Sequence, residues 1–275
     1  MTRSLRLAAI VAFLGVGLVV PAPALAIGSP RVAAIQVGLR AKGLYAGTID
    51  GFQGPQTKAA IAALEQTGIA TADLAGLNLG VRPLALGATG GDVSQLQFLL
   101  AWHGFPNGTI DGAFGLHTQA ALVRFQRWAG LAPVGIAGPA TVTALRAPLP
   151  TCPAPLAWPL RVKVGDPFGP RGAGFHPGID LPAAAGTPVR AAAVGHVTFA
   201  GRTVGGYGNL VIVKGAGGVA TMYAHLSRIL AYRGEAVTVG SLVGLVGATG
   251  ETTGPHLHFE VRVRGAAVDP LPALR

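Results

Sequence analysis

The chain has 275 residues, half of them hydrophobic and only 12% charged, which is enough to bury two or three small cores and excludes disorder throughout. Its 42 glycines and 21 prolines favour turns and short elements over long helices. The formal charge of +10 suits an anionic partner, but lysines and arginines are scattered and basic–aromatic interleaving is absent, so nucleic acid is set aside.

The first 26 residues read as an export signal. Arg3 and Arg6 form a positive start, Leu7 to Val20 an apolar stretch, and Ala24-Leu25-Ala26 a small-residue cleavage site. The apolar stretch is shorter than the roughly 20 residues that span a bilayer, so no stable membrane span is expected after cleavage. Losing these two arginines, with no acid before residue 27, lowers the charge from +10 to +8. The polyanions that such a cationic chain meets outside a cell are wall polymers and membrane surfaces.

Two segments then repeat without a gap: "GLYAGTIDGFQGPQTKAAIAALEQ" from Gly43 and "GFPNGTIDGAFGLHTQAALVRFQR" from Gly104, an offset of 61 residues. Helix-spaced apolar stretches precede them, with Ile35, Gln36 and Leu39 before the first copy and Leu96, Gln97 and Leu100 before the second. Each unit reads as helix, G-T-I-D-G turn, helix, the second helices starting near Gln56 and His117. These residues resemble the small helical peptidoglycan-binding modules, which implies peptidoglycan as a partner. The second copy, within residues 91–147, fits the pattern best and keeps the closing "AGPATVTAL" of a third short helix. The first, within 29–80, is degenerate and lacks a comparable closing helix. The Gly, Asp and Thr residues themselves read as caps and turns. His103 and His117 read as surface positions.

Residues 148–159, around "PLPTCPAPLAWP", are too rich in proline for helix or central strand and read as a semi-stiff linker that lets each side keep its own core. Cys152, the only cysteine, forms no intrachain disulfide and reads as a free linker thiol or one pairing between chains.

From 160 to 275 the texture changes to short, glycine-bounded, Val-rich runs, which predict a compact, mainly antiparallel β domain behind the all-α modules. In "GPHLHFEV" a strand would project His256, His258 and Glu260 from one face and Leu257, Phe259 and Val261 from the other. "FHPGIDL" adds His176 and Asp180, and "MYAHLS" adds His225. A catalytic zinc takes three N or O ligands and leaves one position open. His176, Asp180 and one histidine of the 256/258 pair supply that set, and two histidines remain for proton handling. His196, outside these motifs, reads as a solvated histidine. Glu260 reads equally as a contact behind a ligand or a rim charge, Tyr223 as a weak candidate, and Asn209 as a turn residue or substrate contact.

The ordered set "FGPR", "HPGIDL", "GTPVRAAAVGHV", "GYGNLVIV", "YAHLS" and "GATGETTGPHLHFEVR" resembles the lysostaphin-type zinc metallopeptidases, the M23 family. That resemblance implies His176, Asp180 and His258 as zinc ligands, with His225 and His256 flanking the open position as base and transition-state stabiliser. It also implies an exported zinc endopeptidase acting on peptidoglycan cross-links or stem peptides. Members that have lost ligands act as non-catalytic regulators of other hydrolases; here none of the five is missing. Glycine-rich loops near 205–209 and 250–254 are expected to wall a groove that suits small residues at the cut.

Overall fold

The computed structural model describes residues 27–204 and 206–275, so the stretch read as an export signal lies outside the described residues. No helix among the described residues is long and apolar enough to cross a membrane.

Among the described residues six helices come first: α1 (Pro30–Ala41), α2 (Pro55–Glu65), α3 (Thr71–Ala75), α4 (Gly91–Trp102), α5 (Leu116–Trp128) and α6 (Pro139–Ala144). Pro30, Pro55 and Pro139 open their helices, where a missing N–H costs nothing, and Ser29 Oγ accepts from Val32 N to cap α1. The degenerate copy does carry a short closing helix. Leu74 of α3 covers Gly38 of α1, whose lack of a side chain admits it.

The repeat is written into the interior as a duplicated hydrogen-bond network. Gln36 Nε2 donates to Asp50 Oδ1 at 2.7 Å and Thr57 Oγ1 at 3.1 Å, while its Oε1 accepts from Gly51 N. Gln97 does the same with Asp111, Thr118 and Gly112, each 61 positions on. Each Asp caps its own turn, and Gly51 and Gly112 supply the positive φ (76° and 77°) that the turn demands. The pattern residues of the repeat are therefore structural, as their turn chemistry implied.

The strands follow: β1 (Gly169–Arg171), β2 (Gly174–His176), β3 (Ile179–Pro182), β4 (Pro188–Arg190), β5 (Gly195–Arg202), β6 (Asn209–Lys214), β7 (Val219–Ala224), β8 (Arg228–Ile229), β9 (Ala236–Val237), β10 (Leu242–Leu245), β11 (His256–Val263) and β12 (Ala266–Val268). The main sheet runs β12-β11-β7-β6-β5-β9, with β3 and β12 sharing one edge of β11 end to end. β4-β10-β8 form a second sheet, β1 and β2 a hairpin, and all named strand pairs are antiparallel. Leu257, Phe259 and Val261 of β11 are fully buried, as strand alternation required.

The proline-rich stretch differs from the expected spacer. Leu156 N donates to Ala273 O, Ala157 N to Ala192 O, and Leu156 pairs with Leu274, so its second half is stitched to the β region. One apolar core also joins the two halves, taking Leu39, Phe98, Trp102 and Ile110 from the helical side and Phe168, Leu181, Tyr223 and Phe259 from the strands. Proline stiffness sets the local chain direction, but apolar surface on both sides decides that the halves pack.

Candidate metal centre and catalytic groove

β11 lies between β3 and β7 and gathers the motifs. Register places His258 opposite Asp180 on one side and Ala224 on the other, with His225 following at the end of β7. His176, at the end of β2, closes the set. Gly178 lets the H-P-G-I-D turn pass close to β11, since a Cβ there would meet Phe259 O at 2.4 Å and His258 Cε1 at 3.1 Å.

Three side-chain atoms converge. His176 Nε2 lies 3.0 Å from His258 Nδ1 and 3.1 Å from Asp180 Oδ1, and His258 Nδ1 is 2.8 Å from that oxygen. The other ring nitrogens are committed: His176 Nδ1 donates to the Pro167 carbonyl at 2.8 Å and His258 Nε2 to Glu260 Oε1 at 3.0 Å. Those donations leave His176 Nε2 and His258 Nδ1, once the protons they share with Asp180 are displaced, as lone pairs aimed with Asp180 at one point. Arg171 Nη1 takes the far oxygen of Asp180 at 3.4 Å and bridges to Asp166 at 3.1 Å. His176, Asp180 and His258 thus form an N/O cluster that could hold a metal ion, with both histidines oriented from behind.

The electrostatics favour a cation there. Burial acts to raise Asp180, but hydrogen bonds from His176 and His258 outweigh it and hold the carboxyl far below the usual range. Burial acts to lower His258, yet Asp180 and Glu260 on its two sides push it up to about 9. Glu260 is fully buried; its desolvation is overcome by His258 and Arg262, which hold it down to about 2.

His225 and His256 face this centre with ring centroids 4.8 Å apart. His225 sits at φ 60°, a strained conformation for a residue other than glycine, and donates Nδ1–H to Thr249 O at 2.8 Å. Its Nε2 therefore carries the lone pair. Burial, the largest influence, lowers its pKa below the ordinary 6.5. His256 Nδ1 donates to Gly254 O at 2.9 Å and lies 3.2 Å from the Thr252 hydroxyl, while its Nε2 is 3.5 Å from Asp180 Oδ1.

A groove of about 680 Å³ opens over these residues, walled by Pro177, Gly206, Tyr207 and Glu251 to Thr253. Glu251 N donates to Gly206 O at 2.8 Å, tying the two loops together. A larger cavity, about 980 Å³, lies between Trp102, Leu145, Cys152 and Asp269, and none of the five motif residues lines it. The groove carries the convergent polar groups and the shifted titrations, so chemistry rather than size locates the site.

Other sequence candidates separate clearly. Glu260 is no rim charge. Tyr223 is a core residue, its hydroxyl bonded to Thr221 Oγ1 and Ala192 N. Asn209 holds the loops behind His225, donating Nδ2–H to Leu226 O while its N–H reaches Thr249 Oγ1. His196 and His117 are exposed, whereas His103, read as a surface residue, is buried and donates Nε2–H to Leu145 O at 2.9 Å. Cys152 is half-buried with its Sγ 3.3 Å from Ala154 O. No sequence motif marks Tyr207 or Arg262 beyond a Tyr among the glycines of "GGYGN", yet both brace Glu260.

Comparison with known proteins gives two matches by family: peptidase family M23 over residues 174–270 and a peptidoglycan binding domain over residues 89–145. The DD-carboxypeptidase/endopeptidase Mpg of Neisseria meningitidis is 48% identical over 118 residues, 40% of this chain and 26% of that protein. The murein hydrolase activator NlpD of Escherichia coli is 38% identical over 114 residues, 42% of this chain and 30% of that protein. This chain thus spans less than a third of either curated relative. The catalytic domain of lysostaphin from Staphylococcus simulans is 34% identical, with 40% of this chain and 90% of that chain covered at a TM-score of 0.39.

Proposed function

Because the C-terminal domain of this chain belongs to peptidase family M23, we propose that the protein is an exported zinc metalloendopeptidase of the cell envelope that hydrolyses peptide bonds in peptidoglycan cross-links or stem peptides. The observation that carries this reading is the convergence of His176 Nε2, Asp180 Oδ1 and His258 Nδ1 beside two further histidines that present Nε2 to the same groove. Zinc, held by those three residues, would supply a Lewis acid that polarises a carbonyl and acidifies water.

The chain's own residues do the rest. His225 takes a proton at Nε2, its ring fixed by the Thr249 carbonyl and kept neutral by burial. His256, anchored through Nδ1, donates from Nε2 to the carbonyl oxygen or the departing amine once it carries a proton there. The glycine-lined loops and Thr252-Thr253 leave room for small residues at the cut. The peptidoglycan binding domain brings the enzyme to its polymer.

The likeness to the activator NlpD favours one second reading, a non-catalytic regulator of another hydrolase. Release of new amino groups from purified peptidoglycan separates the two. Zinc-loaded protein is expected to release them and its His225→Ala form is not; equal release by both, or by neither, overturns the proposal.

A further inference from the structure

The hairpin of β1 and β2 delivers His176, and both helical repeats grip it. At its tip Ile49 N donates to Gly172 O at 2.8 Å and Ile110 N to Ala173 O at 2.7 Å. Ile49 and Ile110 are the equivalent residues of the two G-T-I-D-G turns, 61 positions apart, and each turn is stiffened by its own buried glutamine network. Two copies of one turn thus hold two adjacent carbonyls of a single hairpin.

A second grip acts along its side. Trp102, the last residue of α4, packs edge-on against Phe175 at 5.3 Å and Phe168 at 6.4 Å, and those rings meet each other at 5.0 Å. Phe175 immediately precedes His176. Phe168 immediately follows Pro167, whose carbonyl accepts the Nδ1 proton of His176. Trp102 therefore packs on the immediate chain neighbours of His176 and of the Pro167 carbonyl that orients its ring. Further contacts extend the joint: Ala267 N donates to Gly104 O at 3.0 Å, and Arg264 stacks over Trp128 at 5.2 Å.

We propose that the paired repeats position the metal centre, with Trp102 as the principal positioning residue and the amides of Ile49 and Ile110 fixing the hairpin tip. The inference rests on the zinc reading above and goes beyond it, because it makes the helical half part of the site's construction as well as a wall-binding device. Outer partners that orient a ligand are worth about 10- to 100-fold in metal affinity, and a ring displaced with its strand suffers the same loss of aim.

The test uses the full chain and three variants. Trp102→Ala removes the brace and Trp102→Phe keeps an aromatic ring. Leu100→Ala opens a hole in the same helix, where Leu100 packs in the repeat's own core away from the hairpin. Zinc affinity is read by chelator competition, and ligand geometry by the visible absorption of the cobalt-loaded protein. Trp102→Ala is expected to weaken zinc by about tenfold or more and to shift the cobalt bands, Trp102→Phe to restore most of both, and Leu100→Ala to lower Tm while leaving zinc affinity within about twofold. Wild-type affinity and spectrum in Trp102→Ala would overturn the inference, as would an equal zinc loss in Leu100→Ala. Should Trp102→Ala not fold, Phe175→Leu trims the same contact from the hairpin side and carries the same expectations. A wild-type chain that binds no zinc would overturn the metal reading along with this one, whereas equal binding by wild type and Trp102→Ala overturns this one alone.

Discussion

Glu260 Oε1 accepts the Nε2 proton of His258 across 3.0 Å, and this contact fixes the ring of a strand histidine so that its Nδ1 faces Asp180. The carboxylate is fully buried, with Tyr207 donating to Oε1 at 2.6 Å and Arg262 Nε to Oε2 at 2.8 Å. Glu260→Gln removes the charge that fixes the proton on Nε2 and leaves the Arg262 guanidinium without its carboxylate. Zinc affinity in chelator competition is expected to fall about 10- to 100-fold, with a lowered Tm. Unchanged affinity would contradict the role.

The two flanking histidines should behave differently from the ligands. His225→Ala and His256→Ala are expected to retain near-stoichiometric zinc by elemental analysis yet lose about 10²- to 10⁴-fold in rate. His258→Ala should lose much of the metal. Loss of zinc from His256→Ala with retention in His258→Ala would reverse the assignment of the pair.

The pH profile follows from His225. Its folded pKa lies below the ordinary 6.5 because burial disfavours the imidazolium, and the Thr249 hydrogen bond, which acts the other way, is weaker. The ring therefore keeps its Nε2 lone pair at pH 7 and loses it only as the pH falls through that lowered value. The acid limb of kcat/KM attributable to His225 should lie below pH 6.5 and be absent from the residual activity of His225→Ala. A limb centred above 6.5 would exclude His225 as the base.

The convergence of His176, Asp180, His225, His256 and His258 was legible because the spacing of their motifs survives folding unchanged. H-x-x-x-D spans one tight turn, and H-x-H lies on one strand whose alternation sends Leu257 and Phe259 to the core. What surrounds them was not legible. Glu260 is buried by Tyr207, 53 residues away, and by Arg262 on its own face, so its burial depends on a loop docking that no local pattern records. His103 directly follows α4 between Trp102 and Gly104, and only the packing of the end of α6 brings the Leu145 carbonyl to it. The proline stretch reads as a spacer in its composition, but the apolar faces of Trp102, Phe168 and Phe175, which join the halves across it, carry no periodic signal.

Gly208 supports His225 at one remove. Its φ is 61° and an added Cβ would lie 2.4 Å from the Thr249 carbonyl carbon, whose oxygen holds His225 Nδ1. Gly208→Ala is expected to cost about 1–3 kcal/mol of stability from backbone strain, and to lower kcat more than it raises KM. Denaturant unfolding beside steady-state rates checks this, and a wild-type kcat in a folded Gly208→Ala protein would show that the Thr249 carbonyl does not set the ring.

The central claim, hydrolysis of a peptide bond in peptidoglycan by a zinc-loaded site, is tested most directly by mass spectrometry of the fragments released from defined peptidoglycan. Intact glycan with one class of peptide bond opened by the zinc-loaded chain, and no such products from the same chain stripped of metal, is the expected result. Uncleaved peptides in the presence of stoichiometric zinc, with breakdown appearing only when another wall hydrolase is added, would contradict it.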